Sequence, residues 1–245
     1  MAEKKFVLFI VEGDNDQNEI DAILHTPFFS EFLSNYKPVF KKADTDVTSD
    51  KNSTEKNIRE KVGLLVRDFR KSGVPFSDIK PSDISCIIHI VDTDGVFIPR
   101  SSIIESDDVS FIYEDEYIKN INPDVVFGRN RKKANNIRVL LNTKQIDNIP
   151  YSIYFVSCNM EHVLFGRVIN EGNKKLIKKR LGEQFVIQCV TNPSLVNETV
   201  FNKQVAYDSS YEESWSEIQK GTNSLQRHTN LNLYLKTIMN GEEAS

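Results

Sequence analysis

The stretch Phe6-Val7-Leu8-Phe9-Ile10-Val11-Glu12-Gly13-Asp14-Asn15-Asp16 decides the fold. Six apolar residues in a row stop abruptly at an acid and a glycine. An unbroken apolar run of this length reads as a strand covered on both faces, the pattern of a parallel sheet. Glycine then lets the chain turn sharply. Asp16 and Glu19 match a capping box, and Ile20, Ile23 and Leu24 follow at helical spacing. Strand 5–12 therefore leads into a helix.

Working outward, a short strand is expected at 38–42 and a polar loop at 49–54. Residues 54–72 form an amphipathic helix with Ile58, Val62, Leu65, Val66 and Phe69 on one face and Gly73 as its C-cap. A second apolar strand, 84–91, ends in Asp92-Thr93-Asp94-Gly95. The alternation predicts an α/β protein with a parallel, doubly wound sheet. Residues 95–130 break the rhythm with short apolar runs at 109–113 and 125–127 and the acidic tract 114–116. They read as an insertion above the carboxyl edge of the sheet. A helix over 131–146 follows, led by the basic string GRNRKK. A third strand, 151–157, runs into CNMEHVLFG. Beyond about 170 the pattern is mainly helical, with a basic stretch at 174–180 and a last amphipathic segment carrying Leu231, Tyr234, Leu235 and Ile238. The expected division is 1–168, holding the sheet, and 169–245, helical and packed on it. The final GEEAS reads as frayed.

With 245 residues and 39% hydrophobic content, the chain can bury a sizeable core. A charged fraction of 27% excludes wholesale disorder. A net charge of −4 argues against a surface coated in positive field, though not against a local basic groove. No apolar run approaches the roughly 18 residues of a membrane helix, and the run at 6–11 reads as a core strand rather than a leader. Cys86, Cys158 and Cys189 are odd in number and widely spaced, so they read as small buried hydrophobes in a reducing, cytoplasmic setting. His25, His89, His162 and His228 lack zinc-ligand spacing.

The chemistry lies in acids at strand ends. In open α/β sheets these ends line the crevice where ligands bind. Alternate residues of an extended segment point the same way, so Asp92 and Asp94 face one ligand. Clustered carboxylates repel one another unless a cation sits among them, and hard oxygen donors favour Mg²⁺ or Mn²⁺. Glu12 ends the first strand, where its ordinary role would be a polar turn. Asp16 would ordinarily cap a helix, a role worth about 1 kcal/mol. Glu161 follows the third strand and would ordinarily be a first-turn helix acid; His162 beside it reads as packed. The set expected to bind metal is Glu12, Asp16, Asp92 and Asp94. Arg129, Arg131, Lys132 and Lys133 stand where they would reach phosphates at the crevice rim, although basic runs are ordinarily solvated helix faces.

At these residues the chain resembles the TOPRIM family, the catalytic domain of topoisomerases, bacterial primases and OLD-type nucleases. That family has a strand ending in VEGxxD and a later strand ending in DxD, here Val11-Glu12-Gly13-Asp14-Asn15-Asp16 and Asp92-Thr93-Asp94. SCNMEHVLF resembles the SNPxFExWLL segment of RloB-like, defence-associated members, with Glu161 at the glutamate and the proline and tryptophan missing. The resemblance spans about 5–165. It implies a Rossmann-like TOPRIM domain, Mg²⁺ or Mn²⁺ on the DxD acids, and Glu12, Asp92, Asp94 and Glu161 as catalytic residues. The implied activity is metal-dependent cleavage of phosphodiester bonds in DNA or RNA, within anti-phage defence by abortive infection. A nucleic-acid substrate and a regulatory protein or homo-oligomeric contact are the expected partners, with no membrane. HIVDTDGVF also resembles the first motif of haloacid-dehalogenase-type phosphatases, which makes Asp92 a nucleophile. A third alternative is a non-catalytic, TOPRIM-like module that holds a partner.

Overall fold

The computed structural model describes residues 4–43, 46–71, 79–170 and 172–242. These fall into two compact units that interleave along the chain. The first comprises 1–91, 135–154 and 236–245; the second comprises 92–134 and 155–235. The architecture is α/β with a mixed, mostly parallel sheet, compatible with a Rossmann-like arrangement.

The first unit opens with β1 (Lys5–Val11), whose residues Val7–Val11 are all buried, as the apolar run requires. Helix α1 (Asp14–Leu24) starts earlier than the sequence pattern suggests. Gly13 is its N-cap, and the Asp16 carboxylate reaches back to accept the Gly13 N–H at 2.8 Å. Asp16 is thus the third helical residue, not the cap. Glu19, its expected partner, is instead buried along the helix. A short α2 (Ser30–Asn35) leads into β2 (Tyr36–Lys42). Helix α3 (Ile58–Lys71) buries Ile58, Val62 and Val66, while Leu65 and Phe69 are half-buried. Gly73 lies outside the described residues. Strand β3 (Ile84–Asp92) pairs parallel with β1, and β1 pairs parallel with β2. Because β1 and β3 are parallel neighbours, they run out at the same edge of the sheet.

The second unit begins with a three-stranded sheet built from β4 (Ile103–Glu105), β5 (Ile112–Tyr113) and β6 (Ile118–Asn120), in the order β4-β6-β5. The inserted segment is therefore structured. Its core is Ile98, Ile103, Ile118, Val126 and Leu225, flanked by Phe111 and Tyr113.

Helix α4 runs Pro123–Leu141. The sequence reading over 131–146 misplaces both ends. Proline is well suited to the first helical turn, so 125–127 is helix and GRNRKK lies inside it. At the other end, β7 (Gln145–Ile146) and β8 (Ile149–Val156) form an antiparallel hairpin in the first unit. Asp147 (φ 50°) and Asn148 (φ 64°) make the two-residue turn, with both residues left-handed as a type I′ hairpin demands. Arg67 holds that turn through Asp147 at 2.9 Å. The full order of the larger sheet is β2-β1-β3-β8-β7.

The rest is mainly helical, as expected: α5 (Met160–Phe165), α6 (Lys174–Thr191), α7 (Leu195–Glu198), α8 (Tyr211–Ile218) and α9 (Leu231–Met239). Within the second unit, Tyr207 and Trp215 meet the Phe155 ring edge-on, and Phe165 meets Phe185 the same way. Ser210 and Glu213 form a reciprocal capping box at α8. Of the terminal GEEAS, only Gly241 and Glu242 are described. Among the described residues, no helix is long and apolar enough to cross a membrane.

Candidate functional site

The turn that ends β3 is fixed by backbone hydrogen bonds on nearly every residue. The Thr93 N–H donates to the Val156 carbonyl at 3.0 Å, the Asp94 N–H to Cys158 at 2.9 Å and the Gly95 N–H to Ser224 at 3.1 Å. Asp94 is left-handed, with φ 49°. Aspartate tolerates that conformation better than most residues, yet it remains a sparsely populated state. Gly95 follows at φ 65°, and a Cβ there would run into the Leu225 side chain and stand 3.0 Å from Ile118. The glycine is required on both counts.

Opposite this turn, within the same unit, the chain leaves β8 through a second left-handed residue, Cys158 (φ 56°). Its N–H donates to the Thr93 hydroxyl at 2.9 Å, and its carbonyl accepts from Asp94. The Thr93 hydroxyl in turn donates to the Ser224 carbonyl at 2.7 Å. Phe97 N–H donates to the Ser224 hydroxyl at 3.2 Å. Asn159 then caps α5 by accepting from the His162 N–H at 3.0 Å. Two strained residues are thus clasped together, with Ser224 bracing both. Such strain persists only where the surroundings over-determine it, and it concentrates at functional sites.

Cations surround the acids. Lys133, wholly buried, donates to Asp94 Oδ2 at 2.6 Å. Arg129 donates to the Asp94 carbonyl at 2.9 Å and to the Tyr113 hydroxyl at 2.7 Å, and lies over the Phe111 ring. Lys178 of α6 donates to Glu161 at 2.7 Å, and Glu161 is itself buried. Burial pushes the Cys158 thiol well up, and Asp94 and Asp92 push it further, against Lys178 and Arg129. It is a neutral thiol, not a nucleophile. Tyr113 is also raised, by burial first and then by Asp94, so it stays a neutral phenol that accepts from Arg129. His162 is lowered by burial, and its Nδ1 is enclosed with no hydrogen-bond partner.

The predicted residues are distributed as follows. Asp92, Asp94 and Glu161 belong to the second unit, where Cys158 lies in the field of Asp94, Asp92 and Lys178, and Lys178 pairs with Glu161. Glu12 and Asp16 belong to the first; Glu12 is half-buried just past β1, and one Asp16 oxygen closes the α1 cap. Arg131 is exposed and Lys132 half-buried. Lys133 is not at a rim: it is interior and its charge is matched to Asp94. Sequence reasoning missed Lys178, which sat in a run dismissed as solvated, and Cys158, Tyr113 and Ser224. Only the basic run around Lys178 carried any prior signal.

Among the described residues, no three His, Cys, Asp or Glu side chains are arranged to hold a metal ion together. Asp92 and Asp94 nonetheless supply hard oxygen donors on one braced turn. Mg²⁺ commonly rests on one or two carboxylates, with water and substrate phosphate completing its shell. The donor chemistry of the pair fits that ion or Mn²⁺. No protein-family model matches the chain, nor does any curated protein or solved structure.

Proposed function

We propose that this chain is a metal-dependent nuclease that cleaves phosphodiester bonds in DNA or RNA and serves anti-phage defence by abortive infection. The observation that supports this most is the Asp92-Thr93-Asp94-Gly95 turn, which holds two carboxylates on a strained, multiply braced strand end. Catalysis by metal and carboxylate needs preorganised donors, and a turn that cannot relax supplies them. In this reading Asp92 and Asp94 hold Mg²⁺ or Mn²⁺, and Glu12 and Asp16 are the further acids that the family pattern names. When bound, the ion would stabilise charge on the attacked phosphate and activate a water. Glu12 manages the proton at the attacking oxygen, and Glu161, held by Lys178, tunes the field around the pair. Lys133 orients Asp94. Arg131, which is exposed, and Lys132 are the residues proposed to meet the nucleic-acid backbone.

The test is a Mn²⁺-dependent cleavage assay on mixed DNA and RNA, run with wild type, Asp92→Asn and Glu12→Ala. Loss of a metal ligand is expected to lower the rate by roughly a hundredfold or more. Activity surviving Glu12→Ala removes Glu12 from the mechanism. Mn²⁺ that binds Asp92→Ala as tightly as wild type in calorimetry defeats the reading, and no Mn²⁺ binding at all favours the non-catalytic module.

One observation favours the phosphatase alternative. A buried lysine beside the acid pair is what a phosphoaspartate enzyme requires, and Lys133 occupies such a place. Against it, Asp107 and Asp108 lie outside any strand. A hydroxylamine-labile acyl phosphate on Asp92, formed from a small phosphomonoester, would decide for that alternative.

A further inference from the structure

We propose that α6 is a dimerisation element, pairing antiparallel with the same helix of a second copy of this chain. The helix spans 18 residues and is apolar on two sides. Gly182, Phe185 and Cys189 face inward and are buried. On the outer side Leu176, Ile187 and Val190 remain 42%, 63% and 79% exposed. Single exposed hydrophobes need no explanation, but these lie on one line. Leu176, Arg180, Glu183, Ile187 and Val190 follow one another at alternating intervals of four and three residues, and all are exposed. That is the a/d spacing of a coiled-coil seam, which packs helices nearly in line.

The order of the seam selects the partner. Read from either end, Leu176-Arg180-Glu183-Ile187 runs apolar, charged, charged, apolar, with the charges of opposite sign. A two-fold axis between Leu181 and Gly182 sets Leu176 against Ile187 of the second copy and Arg180 against its Glu183. Each contact occurs twice. The flanking pairs, Lys175 with Gln188 and Lys179 with Gln184, oppose no like charges. A parallel pair would instead set Arg180 on Arg180 and Glu183 on Glu183. The intrahelical competitor for Glu183 is Lys179 at 3.8 Å, with both side chains more than 60% exposed, and such a pair yields readily. One helix pair of this length buries less than a standard interface, so the dimer is of micromolar strength. This assignment is independent of the nuclease reading.

Sedimentation velocity on the full chain from about 1 to 200 μM tests it, the range in which a micromolar dimer forms. Wild type is expected to move from monomer to dimer across the series. Leu176→Glu with Ile187→Glu should stay monomeric throughout, with unchanged far-ultraviolet circular dichroism. Arg180→Glu and Glu183→Arg should each weaken the dimer roughly tenfold or more, because each reversal creates two like-charge contacts. The double reversal should restore it. Wild type monomeric across the range overturns the proposal, as does a dimer that survives the two glutamates. A double reversal that stays as weak as the singles overturns the antiparallel pairing.

Discussion

Lys133 and Asp94 are unequal partners, since the lysine side chain is wholly buried and the aspartate retains 22% exposure. Asp94→Ala takes one carboxylate contact from a buried ammonium, a loss of about 3–5 kcal/mol. Lys133→Met fills the same volume without charge and leaves a carboxylate that reaches water, for a loss of about 1–2 kcal/mol. Urea unfolding of the two variants measures the difference, and equal losses would contradict it. This pair shows what a sequence discloses at the level of single residues. Asp92 and Asp94 stand out because acids interrupt an apolar strand. Lys133 is visible only as one of several basic residues, because its partner lies 39 positions away. Cys158 carries no local mark and Lys178 only that of its basic run: one resembles any small core residue, the other any surface lysine. Their roles come from tertiary neighbours.

Among the elements, α5 buries His162 and the segment before α9 half-buries His228. Burial lowers the proton affinity of both His162 and His228 below the ordinary 6.5. The unfolded chain therefore takes up protons first as pH falls through 6.5, and stability declines below that value. Above it their contribution is constant. Thermal midpoints measured between pH 5 and 7 should fall on acidification, and replacing both histidines with glutamine should flatten that slope. An unchanged slope would assign the acid sensitivity to other groups. Element identity was largely legible: β1, β2, β3, β8, α1 and α3 follow from apolar period alone. Boundaries were less so. Pro123 starts α4 well before its basic stretch, and Asp147-Asn148 is a two-residue turn signal that a helical reading of 131–146 passes over. The small sheet of β4, β5 and β6 was not legible, since its strands are two or three residues long and too short for a period to show.

For the molecule as a whole, chain connectivity matters more than segment content. Segments far apart in sequence complete the second unit: Ser224 supplies a partner of Thr93, Thr229 and Asn230 those of Phe155, and His228 and Asn223 those of Ser157. A chain ending at Gly166 loses all of these, and Glu161 loses Lys178. Such a chain is expected to lack a cooperative unfolding transition and to be digested rapidly by protease. A compact, protease-resistant product would show that residues beyond 166 are dispensable.

The bond from Thr93 to Ser224 spans 131 residues. Translation proceeds at roughly 5–20 residues per second, so the serine is made on the order of ten seconds after the threonine. During that interval the acidic turn lacks its brace, whatever else has folded. Birth of the chain is thus separated in time from maturity of its carboxylate pair, and a truncated or stalled nascent chain never reaches that maturity.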